Sequence, residues 1–197
     1  MDEEVVSYQL DLFNTSYQLE LFYKDDTQVL DEAYEYFTYL QKPNDAFSDM
    51  PVCPFLKAEI EKDSLYVDIW KPNKRSFYEL FYEFTKSKKG SALFVCMDTE
   101  DIKWEEVDRK KFQKTIQVLM EDKGYKNLKA LCFSPFEEHT AAGEETRKGS
   151  PYFLINIAGT KELNEAHRSL FKTKYFENFS EKEIKELKVY PKDKKVL

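Results

Sequence analysis

The sequence predicts an α/β (or α+β) sandwich: one mixed sheet of about four strands covered by helices, with an N-terminal strand-and-helix extension. Three observations predict it. From residue 64 onward strand-like and helix-like periods alternate, in the order strand, helix, strand, helix, strand, long polar segment, strand, helix. Five Gly and seven Pro among 197 residues are too few for a turn-rich β-sandwich. Aromatic residues make up 16% of the chain, so bulky rings supply much of the core of a single domain.

The elements follow in chain order. Ser7–Phe13 (SYQLDLF) and Ser16–Phe22 (SYQLELF) are two copies of one heptapeptide. Each alternates polar and apolar positions, as a half-buried strand does, and Asn14-Thr15 between them suits a hairpin turn. Val29–Leu40 predicts a helix with Leu30, Ala33, Tyr34, Phe37 and Leu40 inward, early acids at Asp31, Glu32 and Glu35, and Pro43 beyond its end. Residues 42–52 read as a loop leading to Cys53-Pro54-Phe55. Residues 65–70 alternate as a strand. Ser76 and Glu79 have capping-box spacing, followed by the stripe Phe77, Leu80, Phe81, Phe84 and a basic, Gly-containing close at 86–90.

Residues 92–97 are continuously apolar and predict a central strand covered on both faces. Residues 102–122 predict the longest helix, with Trp104, Phe112, Ile116 and Leu119 inward. Residues 128–133 and 152–157 predict the next two strands. Thr160 is expected to cap a helix reaching Lys174, with Leu163, Ala166, Leu170 and Phe171 inward. Ser180 and Glu183 open a last short helix before a Lys-rich tail. The helical crossovers predict parallel neighbours among the first three strands of the domain, with the fourth pairing in either direction. The organisation expected is an acidic extension (1–50), an α/β domain (51–190) and a tail (191–197).

Net charge is −7, unevenly spread: residues 1–50 hold twelve acids and two bases, leaving +3 on the rest. An acidic leader on a near-neutral body marks an appendage. These sums imply no broad basic surface for direct nucleic-acid binding, while leaving room for a local patch on one face. The three cysteines are odd in number and lack secreted-type spacing; Cys96 and Cys132 fall inside apolar runs. The start MDEEVV lacks the basic opening of a signal peptide, and no run is long enough to span a bilayer. A reduced, cytoplasmic protein without membrane attachment is the expectation. Lys outnumbers Arg 26 to 4, the bias of an AT-rich genome such as that of a phage or a streamlined bacterium.

Several motifs bear on chemistry. Between Phe133 and Tyr152 lies a polar segment holding His139, four Glu, Arg147 and two Gly, with Ser-Pro at each end. Loops of that length in compact domains are usually functional or disordered. Arg147-Lys148-Gly149-Ser150 offers a guanidinium fork, a Gly that lets backbone N–H groups approach an anion, and a hydroxyl; without Walker spacing it reads as a general anion cradle, or as an Arg tying the loop to Glu144 or Glu145. Cys53, at a loop-to-element junction near Lys57, is a candidate nucleophile, or else a small buried residue in a turn fixed by Pro54. Glu138 and His139 offer a base or metal ligands, with Cys53 or Asp98 as further ligands, but a solvated acidic loop is the better reading of them; the spacing dictates no metal.

From Cys53 to Tyr175 the chain resembles a bacterial family catalogued as domain of unknown function 1415. The matching residues are Cys53-Pro54-Phe55, Phe133-Ser134-Pro135, Ala142-Gly143, and Arg147 followed by Ser150-Pro151-Tyr152. The family's first His-Pro is replaced around Cys96–Asp98, and its second has Ser134 in place of His. The resemblance implies a shared fold and pocket, and no particular reaction. The N-terminal repeat resembles something else. Gln9-Leu10-Asp11-Leu12-Phe13 and Gln18-Leu19-Glu20-Leu21-Phe22 both fit QLxLF, the short peptide by which bacterial polymerases and repair proteins dock on the replicative sliding clamp. In that peptide Leu and Phe fill an apolar pocket and Gln hydrogen-bonds at its rim.

Two functional expectations result, beside a plain structural or interaction protein. One is an enzyme-like domain binding a small anion, with Ser134, Arg147, Ser150 and Tyr152 as ligand residues and Cys53, Glu138 or His139 as the reactive group. The other is a non-enzymatic accessory of DNA replication or repair, docked on a clamp through Gln9, Leu12, Phe13, Gln18, Leu21 and Phe22. No motif names a cofactor.

Overall fold

A computed structural model describes residues 25–135, 139–141, 144–147 and 149–186. The two heptapeptide copies therefore lie outside the described residues, as do Glu138 and the tail.

The architecture is mixed α/β. Helix α1 (Asp26–Leu40) opens on Asp25, whose carboxylate accepts the Thr27 N–H as N-cap. A minimal antiparallel pair, β1 (Pro43–Asn44) and β2 (Met50–Pro51), follows around a 3₁₀ turn at Asp45–Phe47, then helix α2 (Leu56–Glu61). The four-stranded sheet is made by β3 (Leu65–Trp70), β4 (Ser91–Cys96), β5 (Leu128–Phe133) and β8 (Phe153–Gly159). Helix α3 (Phe77–Ser87) joins β3 to β4, and α4 (Arg109–Asp122) joins β4 to β5. A separate hairpin, β6 (His139–Ala141) and β7 (Glu144–Arg147), lies between β5 and β8, and α5 (Thr160–Leu170) and α6 (Glu181–Glu186) close the described chain.

The strand order is β3-β4-β8-β5. β3 and β4 are parallel, as expected, but β8 enters antiparallel between β4 and β5. β5 thus keeps the direction of β3 and β4 without being a neighbour of β4. The cause is burial. β8 carries Phe153, Ile155 and Ile157 on one face and Leu154 on the other, all below 4% exposed, and such a strand belongs inside the sheet. β5 alternates buried Ala130 and Cys132 with partly exposed neighbours and takes the edge.

Each face of the sheet has its own core. Against α3 and α4 pack Trp70, Phe94, Cys96, Cys132, Phe153, Ile155 and Ile157, with Phe77, Leu80, Phe81, Trp104, Phe112 and Ile116. On the other face Ile69, Leu93, Val95, Met97 and Leu154 meet α1 through Val29, Ala33, Tyr36, Phe37 and Leu40. β4 is buried at every position, as its apolar run predicts. A third, aromatic cluster ties Ala46 and Phe47 to Leu170, Tyr175 and Phe176, and the Tyr175 hydroxyl donates to the Val52 carbonyl at 2.6 Å.

Local differences from the sequence expectation have local causes. Tyr34 is 44% exposed while Val29 and Tyr36 are buried, a rotation of the α1 stripe by part of a turn. Trp104 sits in a 3₁₀ turn (Trp104–Glu106), because Asp108 caps α4 by accepting the Lys111 N–H and starts the helix at Arg109; Met120 rather than Leu119 is its buried residue in the last turn. α4 ends at Asp122, and two residues on stands Gly124, whose φ of 90° a side chain would strain. At the end of α3 the left-handed position is Lys88, ahead of Gly90. Thr160 is not a cap: its hydroxyl donates to the Asn127 carbonyl, and α5 stops at Leu170.

Candidate functional site

β3, β4 and β5 point the same way, so their carboxyl ends share one end of the sheet with the start of β8. In open α/β sheets that end is where ligands bind. It gathers Lys71, residues 97–99, Ser134-Pro135, Ser150–Tyr152 and the base of the β6–β7 hairpin. Pro135 and Ser150 form an isolated bridge there.

Helix α1 runs across this end. Asp26 forms an ion pair with Lys71, just after β3, and the Tyr152 hydroxyl donates to the Glu32 carboxylate at 2.5 Å, just before β8. α1 therefore crosses from the outer strand toward the middle of the sheet, and Tyr152 is one of its anchors. Ser150 is 2% exposed, and its hydroxyl accepts the Tyr152 N–H at 3.2 Å, a turn that aims the chain into β8. The Cys53 N–H donates to the Leu40 carbonyl at 3.0 Å and its carbonyl accepts the Leu56 N–H at 3.3 Å, fixing the chain between α1 and α2. The half-buried Cys53 and Tyr152 both border the apolar cluster under α1. Lys57, the cation expected to activate Cys53, is exposed and paired with Glu61 at 3.7 Å.

The structure thus brings Cys53 and Tyr152 to one cluster and Ser134 and Ser150 to the base of the hairpin. His139 and Arg147 are register partners, the outer backbone pair of β6 and β7, with a register shift beside His139. That hairpin replaces the uninterrupted loop the sequence suggests. Among the described residues no three His, Cys, Asp or Glu gather as metal ligands.

Sequence reasoning missed Arg109. It is half-buried at the first position of α4, and its guanidinium donates to the Cys132 carbonyl at 3.5 Å at the end of β5. Arg109, Lys110 and Lys111 fill the first turn of α4, where the helix dipole disfavours cations, and no acid accompanies them beyond the cap. The run itself was the available signal. Asp98, the further metal ligand the sequence suggests, lies just past the central strand β4 and is engaged locally: its carboxylate accepts the Trp104 N–H at 3.0 Å and faces Lys103 at 3.7 Å.

Burial raises the two thiols near this end. The Cys132 thiol is pushed up to about 12 by desolvation, partly offset by the Arg109 charge. Cys96 is raised well above the ordinary thiol range by burial and then by Cys132. Both thiols are neutral, apolar filling at neutral pH, not nucleophiles.

No family model, curated protein or solved structure matches this chain. The likeness to the domain family named above rests on the order of its motifs alone. No helix among the described residues is long and apolar enough to cross a membrane.

Proposed function

We propose that this protein is a non-enzymatic accessory of DNA replication or repair in the cytoplasm, and that it docks on a sliding clamp through residues 9–13 and 18–22. One observation carries the reading: QLxLF occurs twice, and the second copy ends three residues before Asp25, where the chain joins α1. Residues 25–28, which open α1, are all exposed. Meanwhile the candidate pocket residues with described partners are occupied in the fold: Tyr152 with Glu32, Ser150 with the Tyr152 amide, and the Cys53 backbone with α1 and α2.

The two copies act as alternates. From Phe13 to Gln18 is five residue steps, at most about 18 Å of extended chain. The copies therefore serve two pockets only within that distance, and otherwise raise the local supply of one peptide at one pocket. Capture by an immobilised sliding clamp tests this. Leu12→Ala with Phe13→Ala, and Leu21→Ala with Phe22→Ala, each leave partial capture, and the fourfold variant falls to background. Undiminished capture of the fourfold variant would end the reading.

A second reading, an anion-binding and enzyme-like domain, draws on the three cations opening α4, where Arg109 reaches the end of β5, and on Arg147 in the hairpin that follows β5. Its reactive group would be Cys53, Glu138 or His139. Here phosphate, nucleotides or small carboxylates raise the melting temperature, and Arg109→Ala or Arg147→Ala abolishes the rise. A ligand at a hundred times its dissociation constant adds about 2.7 kcal/mol, enough to read clearly. A flat panel removes this reading.

A further inference from the structure

At the opposite end of the sheet, where β5 begins and β8 ends, lies an open groove of about 540 Å³. It is lined by Lys126, Asn127, Thr160, Lys161, Asn164, Glu165 and Arg168. Every lining residue is polar, and three cations stand against one acid. In a chain of net charge −7 this is a local reversal of sign.

The lining comes from two separate segments. Lys126 and Asn127 belong to the turn after α4, and the rest to α5. Thr160 holds the segments together: its N–H and hydroxyl both donate to the Asn127 carbonyl, at 2.8 and 2.7 Å. The first amide of α5 is thus already used, and the groove's charge comes from side chains. Lys161 and Arg168 are seven residues apart, two helical turns, so they share one face about 10.5 Å apart along the axis. Asn164 lies between them on that face. Glu165 sits 4.0 Å from Lys161 and partly neutralises it.

The shape and chemistry select the ligand. A small molecule needs an enclosing pocket lined largely by apolar side chains to be covered, and this groove is open, its only apolar surface being the stems of polar and charged residues. No aromatic ring lines it, so it offers no stacking platform for unpaired bases. What remains is a spaced row of cations and amide donors, the residue types that contact successive phosphates of a nucleic-acid backbone. We propose that this groove binds the phosphodiester backbone of duplex DNA without reading its sequence, through Lys126, Lys161 and Arg168, with Asn127 and Asn164 as neutral donors. The contact is modest by design of charge, and Glu165 sets its ceiling. The proposal stands apart from clamp docking, because the protein alone should bind.

The test is fluorescence anisotropy with two unrelated 20-base-pair duplexes across a salt series. Three phosphate contacts give a slope of log K against log salt of about −2.7, and each cation removed reduces it by about 0.9. Both duplexes should bind equally, with dissociation constants of about 10⁻⁴ to 10⁻⁶ M near physiological salt. Lys126→Gln with Arg168→Gln should weaken binding and flatten the slope, and Glu165→Gln should tighten it. These side chains are outside the core, so circular dichroism should show intact folds. The proposal falls if neither duplex binds at 50 mM salt, if the double variant binds with the wild-type slope, or if Glu165→Gln weakens binding. It also falls if millimolar inorganic phosphate displaces the duplex at matched ionic strength, which would mark a site for the free ion.

Discussion

Cys132 shows how one side chain records its surroundings. Its thiol lies in the α4-facing core at 2% exposure, and burial holds its proton to about pH 12. In the unfolded chain a thiol ionises near 8.5. The native state therefore binds the proton more tightly, so this stabilisation is complete below about pH 8.5 and is lost as pH rises through 12. Over that window the unfolded chain gains about one proton's worth of advantage, roughly 1.4 kcal/mol per pH unit. Urea titrations between pH 8 and 11 should show stability falling, with Cys132→Ala flattening the fall by nearly one proton. An unchanged slope in that variant would mean that the thiol titrates as if exposed. The burial of Cys96 and Cys132 was legible from their apolar runs. The role of Ser150 was not, since the hydroxyl that resembled an anion ligand serves a turn.

Among the elements, α4 does something no periodicity reveals. β5 is an edge strand, and unpaired edges invite pairing with other chains. Here the Gln113 carbonyl oxygen accepts the Cys132 N–H at 2.9 Å, and Gln117 accepts the Ala130 N–H at 3.0 Å while donating to the Leu128 carbonyl at 3.2 Å. Arg109 continues the row to the Cys132 carbonyl. The match is geometric: four helical residues rise about 6.0 Å, and two strand residues advance about 6.7 Å. Side chains at 109, 113 and 117 thus meet successive outward amides and carbonyls of β5. Gln113→Ala leaves a buried N–H unsatisfied and should cost about 1–3 kcal/mol. Amide exchange at Cys132 should accelerate in Gln113→Ala, and at Ala130 in Gln117→Ala. Exchange unchanged at both would show that the edge is protected by other means. The sequence identifies α4 as a helix but cannot identify this ladder, because glutamine on a helix looks like solvent-facing polarity until its partner strand is placed. The capping box of α3 was legible because both its parts are local: Ser76 and Glu79 exchange hydrogen bonds across three residues.

For the molecule as a whole, the two-faced sheet makes the cores interdependent. Strand order was hidden from the sequence because β8 reaches β4 across more than fifty residues, and nothing local announces such pairing. Burial on both faces was visible in β4 alone, and it fixes the mechanics. Phe94 and Cys96 face α3 and α4 while Leu93 and Val95 face α1, so β4 cannot shed one layer and keep its ladder with β3 and β8. Both tryptophans, Trp70 and Trp104, lie in the α4-side core, with ring centroids 5.4 Å apart. Tryptophan fluorescence therefore watches one face only. Phe37, 1% exposed, belongs to the other. Truncating it to Ala should cost about 3–5 kcal/mol, with a fall in melting temperature of about 2–4 °C per kcal/mol for a chain of this length. If the sheet couples the faces, fluorescence and far-ultraviolet circular dichroism shift together in Phe37→Ala, though no tryptophan touches the altered core. If fluorescence stays at the wild-type midpoint while the circular dichroism transition moves, α1 is a separable layer. The first outcome would make α1 part of the same cooperative unit as the sheet it covers.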